Sequence, residues 1–179
     1  IPHAYQEGKR IAVADINRDG NLDIVVGGEG GWPLMGVIWL CNECGSNTWT
    51  PYQIGRGGYG GGAARDMRLA DMDGDGDMDI VSASLNDDTI VWYENDGNAD
   101  PTWTAASISV GSADGAFDIA VADMDGDGDL DIVSTSRFDD TIAWYENDGN
   151  ADPTWTAADI ATTADGAYDV FVADMDGDG

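Results

Sequence analysis

Basic residues are scarce in this chain. Its 179 residues hold 6 Arg and a single Lys against 30 Asp and 5 Glu, a formal charge of −28. Nucleic-acid binding needs clustered Lys and Arg to displace counterions from phosphates, so that class of partner is excluded. Docking on an anionic membrane surface is excluded for the same reason. No apolar run reaches the roughly 18 residues of a spanning helix, and no membrane insertion is expected. The only histidine is His3, which leaves a Ser-His-Asp or Cys-His nucleophilic site without its base. Two cysteines, Cys41 and Cys44, are too few for a zinc site. They read as a small disulfide-closed loop or as two free thiols. No window carries helical periodicity. The chain opens at Ile1-Pro2 without an initiating Met and stops at Gly179 inside a motif that is complete elsewhere, so it is expected to be an internal fragment. Disorder, the usual fate of so acidic a composition, is excluded by 7 Trp, 6 Tyr and a 42% hydrophobic content.

What the chain has in abundance is repetition. Residues 70–108 and 122–160 align without gaps and are identical at 33 of 39 positions. The differences are Met78/Leu130, Ala83/Thr135, Leu85/Arg137, Asn86/Phe138, Val91/Ala143 and Ser107/Asp159. A looser copy starts at Ala14, and another begins at Ala173. The leading Asp of each copy falls at Asp15, Asp71, Asp123 and Asp174, spaced by 56, 52 and 51 residues. A period near 50 belongs to propeller blades or solenoids. Within one period the alternation predicts four strands, at 118–122, 130–134, 141–146 and 154–160, separated by Asp/Asn/Gly turns. The expected fold is all-β: a partial β-propeller of about three four-stranded antiparallel blades plus the start of a fourth. The repeats are placed at 8–56, 63–110, 115–162 and 165–179, forming one propeller fragment whose remaining blades lie outside this chain.

The aspartates concentrate in loops of the form Asp-x-Asp/Asn-x-Asp-Gly-x-x-Asp. The first holds Asp15, Asn17, Asp19, Asn21 and Asp23; the second, Asp71, Asp73, Asp75, Asp77 and Asp79. The third holds Asp123, Asp125, Asp127, Asp129 and Asp131, and a fourth begins with Asp174, Asp176 and Asp178. Together they take 16 of the 35 acidic residues. Calcium seeks six to eight hard oxygen ligands at flexible distances. Alternate side chains at positions 1, 3 and 5 point inward, Gly at 6 permits the turn, and a carbonyl at 7 and a carboxylate at 9 close the shell. Without a cation, carboxylates so crowded repel one another strongly. A solvated acidic turn is the plainer alternative, but composition alone does not put complete copies at one place in successive repeats. An EF-hand fits poorly, because its twelfth position wants a bidentate Glu and here holds Val26, Ser82 and Ser134.

These loops before Asp-Ile-Val, with Trp-Tyr-Glu-Asn-Asp-Gly downstream, resemble FG-GAP/VCBS repeats, the blades of integrin α-chain propellers and of many secreted bacterial proteins. The resemblance implies a seven-bladed ring, calcium between the first two strands of a blade, and roles in adhesion and extracellular recognition. Asn17 and Asn21 lower the charge of the first loop.

Trp39, Trp92 and Trp144 recur in the third strand, and Trp49, Trp103 and Trp155 in the fourth. Residues fixed in register across every unit are expected to pack rather than to bind sugars. The first unit carries a Gly-rich insertion at 27–36, and a second Gly-rich loop, 55–62, joins the first two units. Strand directions alternate in a blade, so loops between strands two and three and between blades share the face opposite the metal. Trp32, Arg56 and Tyr59, with Arg65, are expected there as a ligand-facing patch. The leading expectation is a secreted or cell-surface, calcium-stabilised propeller segment that recognises an extracellular protein or glycan and has no chemistry of its own. The alternative is the propeller part of a glycosidase or polysaccharide lyase, for which a carboxylate pair would suffice.

Overall fold

In the computed structural model, residues 7–29, 36–43, 48–55, 64–109 and 113–175 are described. They form three four-stranded antiparallel sheets and, among these residues, no α-helix. The first sheet is β1 (Glu7–Ala14), β2 (Asp23–Glu29), β3 (Gly36–Asn42) and β4 (Trp49–Gly55). The second is β5 (Ala64–Ala70), β6 (Asp79–Ser84), β7 (Thr89–Asn95) and β8 (Trp103–Ser107). The third is β9 (Ala116–Ala122), β10 (Asp131–Ser136), β11 (Thr141–Asn147) and β12 (Trp155–Ala161). Strands pair in chain order in every sheet, so each is a blade-like meander. These are three blades of a β-propeller.

Burial grades across each blade, and the sequence accounts for it. The second strands, Asp-Ile-Val-Ser-Ala-Ser in β6 and Asp-Ile-Val-Ser-Thr-Ser in β10, are buried along their whole length. Their β-branched and small residues suit strands buried along both faces. The fourth strands, β8 and β12, are largely exposed and each open on Trp-Thr-Ala-Ala. First strands lie innermost, where β5 meets both β1 and β9.

Two cores fill the spaces between blades. Ile16, Val25, Val37 and Trp39 pack with Ala64, Met67, Ile80 and Tyr93 between the first and second. Met72, Val81, Ile90 and Trp92 pack with Ala116, Ile119, Ile132 and Tyr145 between the second and third. The members correspond by repeat position: Trp39 with Trp92, Met67 with Ile119, Tyr93 with Tyr145. Trp39 and Trp92 are both buried in these cores, as their register implies, while Trp144 in the third blade is only half-buried. Burying such a side chain contributes about 1.5–3 kcal/mol.

Aspartates stitch neighbouring blades together. Asp66 in β5 accepts a hydrogen bond from the Ile119 amide (3.1 Å), and Asp118, its equivalent in β9, accepts one from Val170 (2.9 Å). Asp88 and Asp140 close the turns between second and third strands at φ 56°, a left-handed conformation that Asp tolerates. Their carboxylates then receive the amides of Gly115 and Gly166 at the entry to the next unit. Residues 167–175 repeat the β9 sequence and rest on the third blade through the Val170 hydrogen bond.

Candidate metal centres

Each acidic loop follows a first strand and folds around its own carboxylates. Asp71 Oδ2 accepts from the Gly76 amide (2.9 Å), Asp73 from Asp75 (3.2 Å), and Asp75 from Asp77 (2.8 Å). The third loop repeats this with Asp123 to Gly128 (3.0 Å), Asp125 to Asp127 (3.2 Å) and Asp127 to Asp129 (2.9 Å). In the first loop Asp15 accepts from Asp19 and Gly20, and Asp19 from Asn21. The glycines at position 6, Gly20, Gly76 and Gly128, have φ of 86°, 92° and 102°, so the turn needs a residue without a side chain.

This folding gathers carboxylate oxygens in the second and third loops, whereas Asp15, Asp19 and Asp23 of the first loop form no such group. One oxygen each of Asp71, Asp73 and Asp79 lies within 4.8 Å of the others, as do those of Asp123, Asp125 and Asp127. In the second loop Asp71 Oδ1 is buried and receives no hydrogen bond. A buried carboxylate oxygen without a donor carries a desolvation cost that a cation offsets. Burial, above all, pushes Asp79 up to about 7, against the amides of Asn95 and Met72 that hold it down. Asp73 is raised by burial and then by the charges of Asp75 and Asp71. Asp125 in the third loop is raised likewise. A set of this kind is neutralised either by protons or by a hard divalent ion, and all-oxygen donors suit calcium.

Position 7 behaves differently. The Asp77 carboxylate turns out of the cluster to pair with Arg18 Nε (2.6 Å), across the boundary between the first two blades. Asp77 and Asp129 also lie against Gly97 and Gly149 in the turns between third and fourth strands, where an added Cβ would overlap their carboxylates. Metal loops and these turns thus share one face. Arg18 itself adopts φ 57° where the other loops have Gly74 and Gly126.

The third strand supplies residues that the loop motif does not reveal. The amides of Asn42, Asn95 and Asn147 donate to the position-9 carboxylates Asp23 (2.7 Å), Asp79 (2.8 Å) and Asp131 (2.8 Å). Asn95 Nδ2 then reaches into the preceding blade, to the Ile16 carbonyl (3.2 Å), and Asn147 Nδ2 reaches Met72 (2.8 Å). Ile16 and Met72 stand at position 2 of the preceding acidic loops. Each loop is thereby wired to its neighbour. The signal was the Trp-x-x-Asn common to Trp39–Asn42, Trp92–Asn95 and Trp144–Asn147.

Asp174 is described, whereas Asp176 and Asp178 lie outside the described residues, as do Trp32, Arg56, Tyr59 and Cys44. Cys41 is buried, with Asn17 Nδ2 3.6 Å from its sulfur.

Three meander blades, inner strands converging and an acidic loop after each first strand, define a repeat β-propeller. The FG-GAP-like repeat family matches residues 15–82, 71–134 and 125–179, and the chain belongs to that family. Its repeats often bind calcium and typically occur in extracellular proteins. No curated protein matches the chain.

Proposed function

We propose that the chain is a calcium-binding propeller segment of a secreted or cell-surface protein, serving adhesion or recognition of an extracellular protein or glycan. The observation that carries the metal reading is a carboxylate triad in each of the second and third loops, sharing positions 1 and 3, with the buried Asp71 Oδ1 lacking a donor. The calcium is structural. It joins the end of a first strand to the start of the second, and through Asn95 and Asn147 each loop also touches the adjacent blade. Family membership supports the extracellular setting, and among the described residues no helix is long and apolar enough to cross a membrane.

Calcium titration of chelator-stripped protein by calorimetry tests the metal reading. The expected result is saturable binding, with Asp71→Asn and Asp123→Asn each removing one site. Identical binding curves for wild type and both variants would refute the assignment. Recognition is tested by fractionating the native host and by binding to extracellular matrix proteins and glycans; retention in the cytosol would overturn it.

A further inference from the structure

At the end of the inner strands opposite the metal loops, a cavity of about 380 Å³ is lined by Arg10, Arg65, Phe117, Asp118, Tyr168 and Asp169. It is roughly 20 Å from the acidic loops, six residues along a strand at about 3.3 Å each. Its size falls in the range of small-ligand sites, roughly 300–1,000 Å³. Successive units contribute the same repeat positions: Arg65, Phe117 and Tyr168 occupy one, and Asp118 and Asp169 the next, where the first blade has Arg10. The Arg65 guanidinium lies 4.0 Å from the Phe117 ring centre, and Phe117 meets Tyr168 edge to face at 4.8 Å. Arg137 completes the rim, 4.9 Å from the Tyr168 ring.

Part of the variation between the repeats falls around this cavity. The aligned halves of the second and third units are identical at 33 of 39 positions, yet two adjacent exceptions, Leu85/Arg137 and Asn86/Phe138, are what bring Arg137 to the rim. The inner-strand aspartates Asp66, Asp118 and Asp169 are constant, while the residue before each is Arg, Phe and Tyr. The inner-strand aspartates that join blades are uniform, and the residue before each is individual.

The lining also selects a chemistry. Arg10, Arg65 and the rim Arg137 stand beside Asp118 and Asp169, with Arg10 bridging Asp66 and Asp118, so the wall carries both signs within a chain of −28. An anion would meet Asp118 and Asp169 and the field of the whole protein. A cation would meet Arg10 and Arg65. A neutral polyol suits both, because each hydroxyl donates to a carboxylate or accepts from a guanidinium, and a sugar's C–H face packs on an aromatic ring such as the half-exposed Tyr168. We propose that this axial cavity is a binding site for a neutral saccharide. The inference rests on the recognition reading above and gives it a place and a ligand class.

The test is calorimetry of the calcium-saturated protein with neutral hexasaccharides of glucose, galactose, mannose and xylose, alongside uronate oligomers and matrix proteins. One neutral series is expected to bind, with Tyr168→Ala and Arg65→Ala each weakening it about tenfold or more. Tyr168→Phe should stay within about threefold, since it keeps the ring. Melting temperatures of the variants are the control for folding. Binding only by uronates overturns the neutral class, and neutral binding unaffected by either alanine variant overturns the site. Matrix-protein binding without any saccharide binding overturns the cavity assignment and leaves recognition standing; no binding to any probe overturns both.

Discussion

The two ends of each inner strand follow opposite rules. At the metal end, Asp71–Asp77 and Asp123–Asp129 are identical in sequence and form nearly the same hydrogen bonds. At the axial end, equivalent positions hold Arg65, Phe117 and Tyr168, and the turn residues Asn86 and Phe138 differ as well. Coordination and blade docking require fixed oxygen positions and leave one solution per loop. A ring of unlike residues around a cavity has no such constraint, so each unit can contribute a different group to it. Structural stability should therefore reside at the metal end, and discrimination at the other.

Stripping the metal is the strongest way to break that contrast. A site saturated at about a thousandfold above its Kd contributes roughly 4 kcal/mol, and several such sites imply a fall in Tm of roughly 10 °C or more on chelation. Scanning calorimetry with EDTA and then excess calcium measures it; an unmoved Tm after complete metal removal contradicts a structural ion. Next is Asn147→Ala, which takes the donor from the Met72 and Leu130 carbonyls and is expected to cost about 2–4 kcal/mol in urea unfolding. It should also weaken calcium binding in the second loop, where Met72 resides. An intact second-loop affinity would show that the blades do not communicate through this residue.

Gly149→Ala places a methyl group against the Asp129 carboxylate at φ 68° and should cost about 1–3 kcal/mol. If the cost vanishes in Asp129→Asn, charge rather than shape dominates the contact. At the other end, the pair Arg137→Leu with Phe138→Asn makes the third unit match the second. Phe138 is 59% exposed and Arg137 half-buried against aromatic rings, so stability should change by no more than about 1 kcal/mol. A large loss would mean that the axial end is as structural as the metal end.

The smallest effect concerns Asp148, which is held down to about 2 chiefly by the Thr154 hydroxyl and then by the Thr154 amide. A lowered folded-state pKa adds stability above the ordinary value of 3.8 and loses it as the pH falls toward 2. The Thr154 amide resonance should accordingly titrate near pH 2, and near the ordinary carboxylate range in Thr154→Val. Coincident midpoints for the two proteins would rule out the hydroxyl as the cause.

Much of this molecule was readable before folding. The strands expected at 118–122 and 141–146 lie in β9 (Ala116–Ala122) and β11 (Thr141–Asn147), because period-two alternation and Asx-Gly turns are local signals. The acidic loops were equally legible, since their ligands lie within nine residues of one another. Other features carried no local mark of their partners. Asn147 reads as a turn residue until the Met72 carbonyl, 75 positions away, is placed beside it. Ile11, Met67 and Ile119 look equivalent in sequence, yet Ile11 is 69% exposed and its counterparts 3% and 0%, because among the described residues only these two have a preceding blade packed against them.

The sequence by itself determined the period, the strand content and the address of nearly half the acidic residues, all set by interactions within one repeat. Tertiary structure alone decided what the repeats make together. It put the Asp77 carboxylate on Arg18, joined successive loops through Asn95 and Asn147, and brought residues from all four units around one axial cavity. Those contacts span roughly one repeat length or more, and a local pattern such as Trp-x-x-Asn marks a residue without naming its distant partner. They exist only once each blade has docked its inner strand against the next.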